Sequence, residues 1–413
     1  MSLMTSIFNV LALLYVVRAV QLAFRVTRDR DDLRREPLTM DKQRLAEQAA
    51  FFLGVPPAVF VHEFAHALAV WAFGGQVVEF GYRVFWGYVV PQGTFTPAQN
   101  WIIAIAGTLG SLTFGAAIWQ LLRLNSSRTL QYFGLRAFRF QIYFSLLYYP
   151  IFTLFLPIGD WRTIYNFDAT PILSALTAAT HSLLLLLFWM ADQRGAFEMV
   201  AFESEAEQSA FERNRIAAET GNPDSRLAVI IALWSGGASK EARRMLDSFQ
   251  ADYPQVGDGY LLRAILLRGG SGPVGKEAFD AAGKALEFGI HKFDRRVLAH
   301  QFRAIFYLGR GDGAAAEAEL DAIFNPSTGD DPNEISPYLL AELYKLRSQA
   351  YRRQKQYEKA LAEIENALQW AITMSSEQMI QEYAAEKAVI QKHAGRSLPV
   401  ENRESAEQVK LGG

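Results

Sequence analysis

Long apolar runs alternate with short polar loops over the first 190 or so residues of the chain. Five of these runs are long enough to cross a bilayer, whose hydrocarbon core needs about 20 mainly apolar residues in a helix. They lie at 6–24, 47–73, 101–122, 138–158 and 171–191. The first run lacks the small-residue cleavage site of a secretory signal, so we expect a retained anchor. The pattern therefore predicts a membrane helical bundle with about five spans.

From about Asp192 onward the sequence becomes charged, Ala-rich and typical of soluble helices. Small and apolar residues recur there at steps of four and three, which places them on one helix face. The clearest stripes are Ala242/Leu246/Phe249, Ala278/Ala282/Ala285 and Ala360/Ile364/Ala367, with a weaker copy at Ala315 and Ala322. The spacing of these copies resembles that of tetratricopeptide repeats. An Ala-rich helical bundle without true repeats is the alternative.

The two patterns together predict a mainly α-helical protein in two parts. A membrane-embedded part is expected at 1–195 and a soluble helical repeat domain at 221–395, joined by a linker helix at 196–220. Residues 396–413 are expected to form a disordered tail. We expect the repeat domain to bind a protein partner, because stacked helical pairs present an extended concave surface.

Residues 77–97 interrupt the helical pattern. Aromatic and β-branched residues alternate there and the run stops at Pro91 and Gly93, which is typical of strands. Non-helical backbone at membrane depth is tolerated only where it is buried in protein or lines a cavity. We therefore expect a short re-entrant β segment whose edge accepts an unwound substrate as an added strand. An ordinary hairpin outside the membrane is the alternative.

Composition narrows the chemistry of any site. The chain has no cysteine, which excludes disulfides, thiolate metal ligands and cysteine nucleophiles. Its net charge of −2 argues against nucleic acid as a partner. A metal ion would therefore have to be held by histidine and carboxylate side chains.

The strongest chemical signal is the stretch His62-Glu63-Phe64-Ala65-His66 within the second apolar run. On a helix, residues i and i+4 lie on one face, so both imidazoles can bind one zinc ion. Glu63 beside them is a candidate general base. Ionisable side chains within a span are costly and are rarely present without a role. The alternative is that these residues only form hydrogen bonds to neighbouring helices.

A catalytic zinc ion usually has three protein ligands and one open position. Asp160 follows the fourth run and is the preferred third ligand, because the second and fourth runs point in the same direction. Its depth differs from that of the histidines by about 8 Å at 1.5 Å per residue. A helix break at Pro157 and Gly159 would absorb this difference. His181, in the middle of the fifth run, is the alternative ligand.

Four stretches carry a resemblance to a known family: HEFAH at 62–66, the β-like segment at 77–97, AIAGTLGS at 104–111 and LPIGDW at 156–161. In this order they resemble the site-2 proteases, which are intramembrane zinc metalloproteases. The resemblance implies a Zn²⁺ cofactor held by His62, His66 and Asp160, with Glu63 as the catalytic base. It also implies hydrolysis of peptide bonds in membrane protein substrates within the lipid bilayer.

Three positions depart from the pattern of that family. Thr108 and Trp161 stand where the family has Pro and Gly, and the family's Asn is missing from the stretch TLFLP at 153–157. The alternative function is therefore a catalytically inactive relative that serves as a membrane receptor or scaffold through its repeats. A purely structural membrane scaffold without zinc is a third hypothesis.

Basic residues in the loops predict the orientation of the chain. Seven Lys or Arg residues lie at 25–46 and three at 123–137, whereas the alternate loops hold only Arg83 and Arg162. By the positive-inside rule, the basic loops and the repeat domain are cytoplasmic, in an integral protein of a prokaryotic plasma membrane. Site-2 proteases more often hold their metal nearer the cytoplasmic face, and this resemblance would place the repeats outside instead.

Overall fold

The structure is a computed structural model that describes residues 3–84, 86–155, 159–269, 272–290, 292–326, 331 and 334–397. It divides into two compact units, Met1–Arg244 and Met245–Gly413. The boundaries expected at 195 and 221 stay predictions. Of the expected tail, only the first two residues are described, and they end the last helix. Pro157, part of the expected helix break, lies outside the described residues.

Among its described residues, the first unit consists of helices, one β-hairpin and the loops that connect them. Its elements in chain order are α1 (Leu3–Arg28), α2 (Arg30–Arg34), α3 (Met40–Phe52), α4 (Val55–Ala72), β1 (Gln76–Tyr82), β2 (Gly87–Gln92), α5 (Pro97–Leu122), α6 (Arg128–Tyr143), a π-helical turn (Phe144–Tyr148), α7 (Tyr149–Phe155), α8 (Asp160–Ile164), α9 (Pro171–Gln193), α10 (Glu205–Glu219) and α11 (Pro223–Ser235). The next helix, α12 (Ser239–Asp252), contains the division between the two units.

Four helical stretches are long and apolar enough to cross a membrane: Val10–Arg28, Met40–Ala72, Pro97–Leu122 and Pro171–Gln193. The fifth expected span, 138–158, is not among them in the described part of the chain. A π-helical turn divides that region, and α6 carries arginines. By length and composition, the described residues therefore contain four candidate spans, one fewer than the five that the hydropathy pattern predicts.

The region of the missing span nevertheless runs back along α5. Gly134 near the start of α6 lies against Leu122 at the end of α5, and Gln141 lies against Gly115. Further along, residues of the π-helical turn pack with the N-terminal half of α5. α6, the π-helical turn and α7 thus run antiparallel to α5 and return toward its N-terminal half.

Polar segments at one end of the first unit are hydrogen-bonded to each other. The Ser127 hydroxyl, just after α5, donates to the carbonyl of Leu33 at 3.1 Å. The N–H of Phe202, after α9, donates to the carbonyl of Leu38 at 2.8 Å. The segments that follow α1, α5 and α9 therefore lie on the same side of the bundle.

The strands expected within 77–97 form an antiparallel hairpin of β1 and β2, with Phe80 opposite Val89. The hairpin packs on α4. The Tyr82 hydroxyl donates to the carbonyl of Pro56 at 3.1 Å, and the Phe60 ring lies 5.9 Å from the rings of both Phe80 and Tyr82. The hairpin is thereby fixed alongside the helix that carries His62 and His66, while its depth in a membrane stays a prediction.

The second unit is a succession of helices that each pack against the next along the chain. They are α13 (Gly257–Arg268), α14 (Lys276–Phe288), α15 (Phe293–Gly309), α16 (Gly313–Phe324), α17 (Pro337–Arg353), α18 (Tyr357–Thr373) and α19 (Glu377–Ser397). All nine residues of the three clearest predicted stripes are at most 2% exposed. The assignment of these helices to tetratricopeptide repeats stays a prediction.

The weaker repeat copy was placed in the wrong register. Ala322 is exposed and Ala315 only partly buried, whereas Ala316, Leu320 and Ile323 are at most 1% exposed. Helix α16 is so rich in alanine that small residues occupy several of its faces. The branched side chains of Leu320 and Ile323 decide which face is buried, because they bury more apolar area than alanine does.

Candidate metal centre

Helix α4 carries three residues of the candidate site, His62, Glu63 and His66. Pro56 and Pro57 occupy its first turn, where their missing N–H groups have no helical partner in any case. The helix then continues without interruption to Ala72, which places His62 and His66 one turn apart on one face. Their imidazole rings are 4.8 Å apart, centre to centre. The motif therefore presents two ring nitrogens in the same direction, as its spacing predicts.

Asp160 meets both histidines. Its Oδ2 atom lies 3.1 Å from Nε2 of His62 and 3.1 Å from Nε2 of His66. Asp160 is the first residue of α8 and follows Gly159, whose φ of +124° is a conformation that favours glycine. The structure thus brings together the three residues that the sequence nominated as metal ligands, about 100 residues apart in the chain.

His181, the alternative ligand, is hydrogen-bonded to residues outside the cluster. Its Nε2 atom donates to the carbonyl of Leu146 at 2.6 Å, and its Nδ1 accepts from the Tyr165 hydroxyl at 2.5 Å. The ring also packs on Trp161, with centroids 4.5 Å apart. With both nitrogens hydrogen-bonded, His181 has no lone pair to offer a metal and serves to join helices.

The two histidines of the cluster are oriented by hydrogen bonds behind them. Nδ1 of His66 lies 2.6 Å from the carbonyl of Ile103, and a carbonyl only accepts, so Nδ1 carries the proton. In the neutral ring this leaves the lone pair on Nε2, which faces Asp160. Nδ1 of His62 lies 3.1 Å from the Ser111 hydroxyl. Such contacts commonly orient metal-binding histidines and fix their tautomer.

The donor set fits a zinc ion. Two imidazole nitrogens and one carboxylate oxygen are ordinary zinc ligands, and the site has no competing lysine or arginine in its hydrogen bonds. Ligands about 2.0–2.1 Å from zinc in a tetrahedron are about 3.3 Å apart. The observed Nε2 to Oδ2 distances of 3.1 Å are close to that value. Gly107 on α5 leaves this space open, since a Cβ atom there would overlap Nε2 of both histidines.

Glu63 lies beside the cluster and not within it. Only 6% of its surface is exposed. The hairpin covers it, because a Cβ atom at Gly87 would come within 2.8 Å of the Glu63 carboxylate. Glu63 is therefore a buried carboxylate next to the candidate metal centre, and the hairpin lies over it.

Sequence reasoning missed two side chains of the site, Tyr149 and Ser111. Tyr149 donates a hydrogen bond to Oδ2 of Asp160 at 2.9 Å. No motif marked it, because it lies among many aromatic residues of the fourth apolar run. Ser111 had a signal that could have been used, since it lies one turn after Gly107 within the stretch AIAGTLGS and so shares its helix face.

Comparison with known families agrees with this geometry. Residues 57–209 match the family model described as Peptidase M50B-like. No curated protein and no solved structure matches the chain. The matched residues include both histidines, Glu63 and Asp160, and the M50 peptidases are zinc metalloproteases. Together with the four apolar helices, the match indicates an integral membrane protein whose residues 57–209 are similar to the site-2 proteases, a family of intramembrane metallopeptidases.

Proposed function

We propose that this protein is an intramembrane zinc metalloprotease that hydrolyses peptide bonds of membrane-associated proteins. The observation that supports it most strongly is the convergence of His62, His66 and Asp160, from α4 and α8, inside a bundle of apolar helices. Among the described residues this is the one cluster of at least three potential ligands close enough to share a metal ion. Its His, His and Asp donors suit catalytic zinc.

Each side chain of the site has a role in this reaction. Zinc held by His62, His66 and Asp160 would supply a Lewis acid that polarises the scissile carbonyl and activates water. Glu63 takes a proton from the attacking water and delivers it to the leaving amine. The Ile103 carbonyl and the Ser111 hydroxyl keep the imidazoles oriented throughout.

The hairpin is the proposed place for the substrate. A peptide bond within a transmembrane helix is shielded by its neighbours, so the substrate must unwind near the site. A two-stranded sheet has unpaired outer edges, to which an extended peptide can add as a further strand. Gly87 of β2 touches Glu63, so a strand added beside the hairpin would run close to the catalytic base. We further propose that the helices of the second unit recruit a substrate or a regulatory protein.

The experiment that tests the function separates metal binding from chemistry. Glu63→Gln is expected to retain about one zinc ion per chain, because Glu63 is not among the ligands. Its cleavage of a model single-span substrate is expected to fall by about 10²–10⁴-fold, the usual contribution of a general acid–base group. His66→Ala is the matched control and should lose both zinc and cleavage.

Two outcomes would contradict the proposal. Cleavage that persists in Glu63→Gln would show that the zinc-hydrolase mechanism is wrong. A wild-type protein that binds zinc but cleaves no membrane substrate would favour the inactive receptor or scaffold, which the departures at Thr108 and Trp161 and the missing Asn support.

A further inference from the structure

Tyr149 contacts Asp160 at two points. Its hydroxyl donates to Oδ2 of Asp160 at 2.9 Å and accepts the backbone N–H of Asp160 at 3.2 Å. The tyrosine ring also lies edge-on to His62, with ring centroids 5.7 Å apart. One hydroxyl therefore fixes both the main chain and the side chain of the residue that faces the two histidines.

The backbone at Asp160 depends on such a restraint. Asp160 begins α8, a helix of five residues, and the first N–H groups of a helix have no carbonyl partner within it. Gly159 before it has a left-handed φ, which only glycine adopts at low cost. The Tyr149 hydroxyl takes the place of the missing acceptor and so defines where α8 starts.

A π-helical turn directs Tyr149 toward the site. The turn comprises Phe144–Tyr148 and immediately precedes Tyr149. A π-helical turn adds a residue relative to an α-helix, which rotates everything after it by about 100°. On an uninterrupted helix the Tyr149 ring would thus face in a different direction relative to His62 on α4, which precedes the turn. Such turns are rare and occur frequently at functional sites.

From this geometry we infer that Tyr149 is a positioning residue that holds the Asp160 carboxylate in place for the metal. The inference rests on the proposed zinc function and adds to it a residue outside the ligand set. Tyr149 orients the Asp160 carboxylate by a hydrogen bond, as Ile103 and Ser111 orient the two imidazoles. Loss of a hydrogen-bond partner of this kind typically weakens metal binding by about 10–100-fold.

The test compares two tyrosines that each lose only a hydroxyl. In Tyr149→Phe, the zinc dissociation constant, measured against a competing chelator, is expected to rise by about 10–100-fold. The visible absorption spectrum of the Co²⁺-substituted protein should change as well, since the carboxylate ligand is released from its orientation. Tyr165→Phe is the control, because it removes a hydrogen bond to His181 away from the cluster. It should leave zinc affinity and the cobalt spectrum unchanged.

The thermal unfolding of the metal-free variants separates positioning from general destabilisation. Each variant loses one partly buried hydroxyl group, so we expect similar unfolding temperatures but different zinc affinities. Equal zinc affinity and an identical cobalt spectrum in wild type and Tyr149→Phe would overturn the inference. So would an equal loss of affinity in Tyr165→Phe.

Zinc affinity and the cobalt spectrum can both be measured without proteolysis. The positioning role of Tyr149 and the proposed protease function can therefore be disproved independently of each other. Weaker zinc binding in Tyr149→Phe, in a protein that cleaves no substrate, would leave the positioning role standing and remove the protease function. Absence of zinc binding in the wild-type protein would overturn both.

Discussion

Gly107 lies so close to His66 that a Cβ atom at position 107 would overlap the Nε2 atom of the imidazole. The same atom would overlap Nε2 of His62. At position 107, helix α5 therefore places no side chain between its backbone and the two imidazoles. The lack of a side chain at this position keeps the space in front of both ligand nitrogens free.

Gly107→Ala is therefore expected to abolish zinc binding, because the added methyl group occupies the space in front of both nitrogens. Gly110→Ala is the matched control. Its methyl group would press on Ala65 and the Val61 carbonyl of the same helix pair, away from the imidazoles. Zinc per chain, measured by elemental analysis after gel filtration, should fall only in Gly107→Ala. Equal loss in both variants would show that helix packing, and not access to the nitrogens, controls the metal.

Asp160→Ala is expected to lose zinc and cleavage, because it removes the one carboxylate that faces both histidines. His181→Ala should retain zinc and lose stability by about 1–3 kcal/mol, since the Leu146 carbonyl and the Tyr165 hydroxyl lose their buried partner. Zinc content and thermal unfolding measured on both variants test the assignment. The reverse ranking in zinc content would transfer the role of third ligand to His181.

Gly87→Ala is expected to lower cleavage by at least about 10-fold, because its methyl group would displace the Glu63 carboxylate. Zinc content should stay unchanged, since the ligands lie on other residues. Gly81→Ala in the partner strand is the control, because the nearest atoms to its methyl group belong to the Tyr88 ring and not to Glu63. Loss of zinc in Gly87→Ala would mean that the hairpin supports the ligands and not the base.

In the second unit, the charged form of the Glu319 carboxylate stabilises the folded state. The two Glu319 oxygens accept from His300 Nδ1 at 2.8 Å and Arg303 Nε at 2.6 Å. Burial alone raises the pKa of Glu319, but these hydrogen bonds lower it overall. A folded pKa below the unfolded value of about 4.3 means that this stabilisation is complete above that value and is lost as pH falls through the folded pKa.

Glu319→Gln is therefore expected to destabilise the protein by about 1–3 kcal/mol at pH 7 and to make less difference below about pH 4. Thermal unfolding followed by circular dichroism between pH 3 and 7 measures this. The exposed Glu358 provides the control as Glu358→Gln. A gap between wild type and Glu319→Gln that stays constant across this range would contradict the pKa shift of Glu319.

Local sequence was sufficient for the parts of the site that lie on one helix. The spacing of His62 and His66 fixes their common face, because helical geometry alone determines it. The pairing with Asp160 followed less directly, from the common direction of the second and fourth apolar runs and from the resemblance to a family, since the two segments are far apart in the chain. Tyr149 was not predictable in this way, because its direction depends on a π-helical turn that leaves no pattern in hydropathy.

Two expectations about the fold failed for a related reason. The apolar run at 138–158 predicts a single span, but it begins within α6, where Arg139 lies, and its backbone includes the π-helical turn. The repeat copy at Ala315 and Ala322 was placed one residue out of register. In both regions the residue types alone are compatible with more than one backbone conformation or buried helix face. Packing against neighbouring helices determines which of these forms.

The orientation of the chain in the membrane is the remaining prediction, and the structure sharpens it. The segments after α1, α5 and α9 lie together on one side, and the first two carry most of the basic loop residues. Gly107 lies about 15 Å from the Pro97 end of α5 and about 22 Å from the Leu122 end at 1.5 Å per residue. A cytoplasmic second unit therefore implies a metal centre nearer the outer face, contrary to the usual arrangement in site-2 proteases.

Single cysteines report this orientation directly, because the natural chain has none. The reporter for the second unit is placed at the exposed Glu358, and the reporter for the opposite side of the membrane at the exposed Asp168, which follows α8. Since basic loops are retained in the cytoplasm, Glu358→Cys should resist an impermeant thiol reagent in intact cells and react after lysis. Asp168→Cys should react in intact cells, and Asp31→Cys in the first basic loop should behave like Glu358→Cys. Labelling of Glu358→Cys in intact cells, with protection of Asp168→Cys, would reverse the orientation and make the second unit a sensor of the outer compartment.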